Sequence, residues 1–276
     1  LAPGTIDEAS LRQALDSADT RILSAVLLQK KINPSQFSTA LGLRGDEAQR
    51  NLLRTMRGEV DAESAEACVA SEEGVPGTEV AAGEELQPPQ ASDALPRMWG
   101  MRYESSALAT YADAVVAKFP GAVLERTTRS YPFLWNGEKF RARPDGMLIG
   151  AESAYPGGVS VEVKCPYNGG DPLPHEIVAY RQMPQLQACM VATETVALHL
   201  VSWSPRGTNV FLVRRCNVYV ERMMRGIELF LQLARSGHIT QASERTAMAG
   251  AWVAEFQATE ALAHLVRPIA NHSRLL

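Results

Sequence analysis

Apolar and polar residues alternate from Val159 to Val163 in the order Val, Ser, Val, Glu, Val. A period of two predicts a half-buried strand. Val159, Val161 and Val163 face a core, and Ser160, Glu162 and Lys164 share the other face. Pro166 has no N–H to donate and ends the ladder. A second apolar run, Met147-Leu148-Ile149, follows the turn signal Pro144-Asp145-Gly146. Residues 150–158, with Pro156 and Gly157, read as the turn region that joins the two runs into a hairpin. Shorter strands are expected at 123–127, 133–135, 140–143, 196–201 and 209–213. Asn136-Gly137 is a strong hairpin signal between the second and third of these.

Spacings of three and four mark the helices. Thr5-x-x-Glu8 is a capping-box pattern opening a helix to about Asp16, and a second helix carries Ile22, Leu23, Val26 and Leu27. Asn33-Pro34 opens a short helix to Leu41. Asp46 caps another that ends at Gly58, with Leu52, Leu53 and Met56 inward and Arg50, Arg54 and Arg57 near one side. From Arg97 to about Lys118, Glu104, Ala107, Leu108, Tyr111, Ala112 and Val115 form one row. Glu104 therefore sits in an inward row, where a carboxylate needs a partner. A helix at 176–192 is expected to kink at Pro184. Two packing helices, 218–236 and 242–265, close the chain.

Composition adds bounds. With 46% hydrophobic residues in 276, the chain can bury a substantial core. No apolar run approaches the roughly 20 residues that cross a membrane. Cys68, Cys165, Cys189 and Cys216 are scattered, without a C-x-x-C pair, which argues against a zinc site or a disulfide framework. Reduced thiols in an intracellular compartment are the expectation. The net charge of −4 looks unsuited to a polyanionic partner. Its distribution corrects this, because ten acids and no Lys or Arg lie between Glu59 and Asp93. The rest carries 27 bases against 21 acids. A basic remainder suits a phosphate backbone, although modest positive charge is common in soluble domains.

The chemistry concentrates between Arg143 and Pro166. Asp145, Glu162 and Lys164 offer two carboxylates and an ammonium, in an order that suits metal-dependent phosphodiester cleavage. Mg²⁺ takes hard oxygen ligands and needs only one or two carboxylates beside its waters and a phosphate. A lysine beside it can neutralise charge in the transition state. The plain alternative is a surface hairpin with an ordinary Glu162–Lys164 ion pair. Gln185 suits either a phosphate contact or a structural amide. Arg141 and Arg143 alternate opposite Ala142 and are candidate phosphate contacts, as are Arg54 and Arg206.

Arg143-Pro144-Asp145-Gly146 and Val161-Glu162-Val163-Lys164-Cys165-Pro166 resemble the paired signature of the PD-(D/E)xK nucleases, as found in the lambda exonuclease and YqaJ-like recombinase family. Upstream, Trp99-Gly100 with Glu104 resembles that family's WG…E helix; downstream, Tyr180 to Met190 resembles its glutamine-bearing helix and Trp203-Ser204-Pro205-Arg206 the loop after its next strand. Residues 33–43 resemble its N-terminal element more faintly.

The resemblance implies an α/β fold with a restriction-endonuclease-like core, a central mixed sheet flanked by helices, and extra helices at both ends. The expected division is an N-terminal helical part at 1–58, an acidic linker or insertion at 59–96, the nuclease core at 97–216 and C-terminal packing helices at 217–276. It implies Asp145, Glu162 and the Val163 carbonyl as ligands of Mg²⁺, with Mn²⁺ as a substitute. Lys164, Glu104 and Gln185 complete the catalytic set. The implied activity is a 5′–3′ exonuclease on duplex DNA ends in recombination or repair, with a single-strand annealing protein as partner and a homotrimer as assembly. An endonuclease or RNase of the same fold, and a non-catalytic DNA-binding or interaction module, stay open. The long connection from Asp145 to Glu162 and the acidic insertion depart from the shortest family members.

Overall fold

The computed structural model describes residues 32–44, 46–56, 94–115, 118–119, 121–151, 154–170 and 172–236, and the backbone of 266–272. The helices expected before Asn33, Arg57, the acidic stretch at 59–93 and the helix expected at 242–265 lie outside these residues.

A 3-10 turn, Pro34–Gln36, leads into α1 (Phe37–Ala40). The Asn33 N–H donates to the Gln36 side chain at 3.0 Å, which satisfies one donor at the entry. α2 (Asp46–Met56) buries Leu52, Leu53 and Met56 and exposes Arg50 and Arg54. α3 (Ala94–Val115) is the long helix read from the row around Tyr111. Five strands follow: β1 (Val123–Arg126), β2 (Tyr131–Trp135), β3 (Glu138–Ala142), β4 (Gly146–Ile149) and β5 (Val159–Lys164). Then come α4 (Met183–Ala192), β6 (Ala197–Ser204), β7 (Gly207–Arg214), α5 (Asn217–Ser236) and β8 (Val266–His272).

The main sheet has the order β1-β4-β5-β6-β7-β8. β5 and β6 are parallel, and every other neighbouring pair is antiparallel. β2 and β3 form a separate hairpin, closed by Asn136 and Gly137 with φ of 46° and 82°. Two positive φ values are what the Asn-Gly signal predicts.

Each face of the sheet has its own core. On one, Ala107, Leu108 and Tyr111 of α3 pack on Leu148, Val159, Val161 and Val163. On the other, Leu186 and Met190 of α4 and Met223 and Ile227 of α5 cover Leu198, Leu200, Phe211 and Val213. α1, α2 and the β2–β3 hairpin join this second core through Phe37, Leu52, Leu53, Phe133 and Phe140. The result is the expected α/β architecture, a central mixed sheet flanked by helices.

Two expectations are corrected, and one strand was not foreseen. β5 is not half-buried: every residue from Val159 to Val163 is buried, because the strand is central and helices cover both faces. Pro184 does not kink a helix. It lies in the first turn of α4, where its missing N–H costs nothing, and a 3-10 turn at Tyr180–Gln182 precedes it. The last strand, β8, was not anticipated. Among the described residues it pairs only with β7 and forms the sheet edge, and the register shifts between Phe211↔Pro268 and Val210↔Ala270, so the proline sits there beside a bulge. Among the described residues, no helix is long and apolar enough to cross a membrane.

Candidate active site

The β4–β5 hairpin brings Asp145 to Glu162 as the alternation predicted. Gly146 pairs with Val161, Met147 with Ser160 and Leu148 with Val159. Just before β4, the Asp145 N–H donates to the Val161 carbonyl at 2.9 Å, and the Val163 N–H donates to Asp145 Oδ2 at 2.7 Å. The Asp145 carbonyl accepts from the Thr127 N–H at 3.0 Å. Asp145 is thus fixed by backbone on both sides. The spot after it is tight: a Cβ on Gly146 would lie 3.1 Å from Leu124 Cδ1 and 3.2 Å from the Glu125 carbonyl oxygen, so a side chain there would push on β1.

Glu162 and Lys164 lie toward the C-terminal end of β5, one half of the parallel β5–β6 pair that α4 bridges. Crevices outside the carboxyl ends of parallel strands are where α/β sheets bind ligands. Gln185 reaches them from the first turn of α4. Its Nε2 donates to Glu162 Oε1 at 2.6 Å, and its Oε1 accepts from Lys164 Nζ at 3.3 Å. Lys164 Nζ also donates to Glu162 Oε1 at 3.0 Å. Three of the residues named from sequence therefore close one triangle. The Glu162 side chain is 4% exposed and that of Lys164 30%. Both hydrogen bonds to Glu162 use Oε1, and Oε2 is buried with no hydrogen-bond partner among the described residues.

The electrostatics follow from this burial. Burial pushes the Asp145 carboxyl up to about 7, helped by the charges of Glu162 and Glu104, while the Val163 N–H and Lys164 pull the other way. Burial alone would lower Lys164, but the charge of Glu162, its hydrogen bond and the charge of Asp145 outweigh it and hold the ammonium above its usual range. Once Asp145 is ionised, two carboxylates and one ammonium leave a local excess of negative charge, and the positive end of α4 opens beside it.

Glu104 is not the buried carboxylate that the helical row suggested. It is half-exposed, and its Oε1 accepts from Arg126 Nη2 at 2.9 Å. The other nitrogen, Arg126 Nη1, donates to Ser105 Oγ at 3.0 Å. Arg126 pairs with Gly146 across β1 and β4, next to Asp145, which is how Glu104 comes close enough to raise the Asp145 pKa. Arg126 was missed from sequence. Its only signal is its place at the end of the short strand 123–126, and the pairing of that strand was not legible.

The remaining quoted motifs also converge. Tyr103, beside Glu104, stacks on Trp203 with ring centroids 5.3 Å apart, Trp99 lies 4.3 Å from Tyr103, and Tyr167 lies 5.8 Å from Trp99. Trp203 Nε1 donates to Thr110 Oγ1 at 3.0 Å, tying β6 to α3. Arg141 and Arg143 are exposed on either side of buried Ala142, as expected. Arg206 is exposed in the β6–β7 turn, beyond the same end of the sheet as Lys164, whereas Arg54 lies out on α2. Cys165 follows β5 and is half-buried against the α3-side core, with its thiol pushed up to about 12 by burial.

Among the described residues, no group of three or more His, Cys, Asp or Glu side chains is placed to hold a metal ion. The local donor set is two carboxylates, one with an unpartnered buried oxygen, and the backbone carbonyl between Glu162 and Lys164. All are hard oxygen donors, which fits a cation that keeps most of its waters.

No protein-family model and no curated protein matches the chain. Among solved structures it is similar to an alkaline exonuclease, LHK-Exo, from Laribacter hongkongensis, and to LHK-Exo in complex with dAMP. Each shows 16% identity and a TM-score of 0.44, covering 87% of this chain and 97% of the other. SSO0001 matches at 14% identity and a TM-score of 0.39, covering 76% of this chain and 86% of the other.

Proposed function

We propose that this chain is a Mg²⁺-dependent deoxyribonuclease that hydrolyses DNA phosphodiesters, acting as a 5′–3′ exonuclease on duplex ends in recombination or repair. One observation carries the reading. Glu162 Oε2 is buried and unpartnered beside the Asp145 carboxylate and the Lys164 ammonium, at the carboxyl end of a parallel strand. A buried carboxylate oxygen left without a partner is costly, by about 1–3 kcal/mol or more. An external cation removes that cost, and a plain structural ion pair has no need to leave the oxygen open.

Asp145, Glu162 and the Val163 carbonyl would hold Mg²⁺, with Mn²⁺ as a substitute. When bound, the ion supplies Lewis-acid polarisation of the phosphoryl oxygen and neutralises charge. This chain's residues do the rest. The Val163 N–H fixes Asp145 Oδ2, and Gln185 and Lys164 fix Glu162 Oε1. The Lys164 ammonium stabilises the negative charge on the phosphoryl oxygens as water attacks phosphorus in line. Glu104, held by Arg126, stands ready to accept the proton of the attacking water. Arg141 and Arg143 take phosphates near the scissile bond, with Arg54 and Arg206 as outlying contacts. A single-strand annealing protein would receive the strand left behind, and a homotrimer is the assembly proposed.

The test is a substrate panel under Mg²⁺: linear duplex DNA labelled at either 5′ or 3′ ends, closed circles and RNA. Release of 5′-label from linear duplex with intact closed circles is expected. Cut circles would replace the exonuclease by an endonuclease, and cut RNA by an RNase. Binding without cleavage would leave a non-catalytic module.

A further inference from the structure

The row that holds Arg141 and Arg143 runs outward from the site along β3 to Lys139, a residue the proposed chemistry leaves unassigned. Lys139, Arg141 and Arg143 occupy alternate positions, and all three are exposed. We propose that this face is a phosphate comb, which carries the sugar-phosphate backbone of a nucleic acid away from the Asp145 site. The proposal rests on the nuclease reading and extends it to a surface where Lys139 acts with the two arginines.

Four observations support it. First, a two-residue repeat in a strand spaces side chains about 6.8 Å apart on one face, a stride comparable to successive phosphates along a nucleic-acid strand. Second, the cross-strand neighbours are uncharged: Arg141 lies opposite Pro132, and Lys139 opposite Leu134, which is 71% exposed. Cross-strand carboxylates would neutralise such a face, and these positions hold none. Third, the hairpin's own acid is engaged elsewhere. Glu138 pairs with Arg235 of α5 at 2.5 Å, and Asn136 donates to Glu228 of the same helix at 2.5 Å. Those contacts pin the turn, while Phe140 stacks on Phe133 at 5.4 Å and meets Phe37 edge-on at 5.7 Å beneath the sheet. A surface held from below and at its tip loses little conformational freedom when it binds. Fourth, the row leads into the site, since Arg143 is two residues from Asp145. Arg129, whose guanidinium lies 5.4 Å from the Tyr131 ring centre, adds positive charge where β2 begins.

The test is equilibrium binding of a fluorescent linear duplex across a salt series, with Ca²⁺ replacing Mg²⁺ so that binding is read apart from turnover. Each phosphate contact contributes about 0.9 to the slope of log affinity against log salt. K139Q/R141Q should lower that slope by about 2 and weaken binding most at low salt. K139R/R141K, which keeps both charges, should restore the slope. K118Q/R225Q removes two exposed charges elsewhere and should leave it near the wild-type value. An unchanged slope in K139Q/R141Q, or an equal fall in the K118Q/R225Q control, overturns the comb while leaving the nuclease reading in place. A wild type that does not bind DNA overturns both.

Discussion

Ser160 and Glu162 are neighbours on one face of β5, both buried and both covered by α4, yet they are built differently. Ser160 Oγ bonds Thr193 Oγ1 at 2.7 Å and Thr195 Oγ1 at 2.8 Å. The two threonines meet at 3.1 Å, and Thr193 Oγ1 also donates to the Cys189 carbonyl at 2.8 Å. That cluster is neutral and closed within the chain, and it ties the end of α4 to the sheet. Two residues along, Glu162 carries charge, shares Oε1 with Lys164 and Gln185, and leaves Oε2 open. A polar group buried for structure is satisfied internally. A polar group left open at the mouth of a parallel strand pair points to a partner from outside.

Substitutions in the two clusters should separate cleanly. Lys164→Ala and Glu162→Gln are expected to lower kcat by about 10²–10³-fold, the scale for loss of a preorganised electrostatic contact. Ser160→Ala should leave kcat within about twofold in single-turnover cleavage. Glu104→Gln should cost about 10²-fold, the lower end for a general base. Arg126→Ala should cost less and Arg126→Lys should recover part of it, because Arg126 positions Glu104 without touching the reacting atoms.

Stability should show the reverse order. Ser160→Ala removes two buried hydrogen bonds to the threonine pair and should cost about 1–3 kcal/mol in denaturant unfolding. Asp145→Asn should instead raise the Tm of the metal-free protein at pH 8 by a few degrees, at roughly 2–4 °C per kcal/mol. The sign follows from the folded carboxyl being raised from 3.8 to about 7. Ionising it costs the folded state increasingly as pH climbs from about 4 to about 7, and fully above that. The advantage of Asp145→Asn should therefore vanish near pH 4. A Tm gap that does not change with pH would contradict a buried, charge-crowded Asp145.

The β4–β5 hairpin was legible because alternation and turn chemistry are local. The triangle around Lys164 was legible through the family resemblance, which places Gln185 beside Glu162 and Lys164, whereas the residues alone left Gln185 equally readable as a structural amide. What escaped the sequence was tertiary. Burial of β5 on both faces depends on α3 and α4 meeting it from opposite sides, and alternation cannot distinguish that from one-sided burial. Glu104 looked buried because its helical row is apolar, but it lies where the row passes the sheet edge and meets Arg126. Pro184 reads alike as a kink and as a first-turn residue until the helix start is known. β8 holds a proline and pairs with a strand more than fifty residues earlier, so no local pattern marks it.

The most direct test is single-turnover cleavage of a 5′-labelled linear duplex across a Mg²⁺ titration, comparing wild type, Glu162→Gln and Ser160→Ala, with EDTA as the blank. Cleavage that rises with Mg²⁺ in wild type and Ser160→Ala, stops in EDTA and collapses in Glu162→Gln is the expected result. Cleavage in EDTA, or a Glu162→Gln rate equal to wild type at every Mg²⁺ concentration, would contradict a cation held at the open oxygen of Glu162.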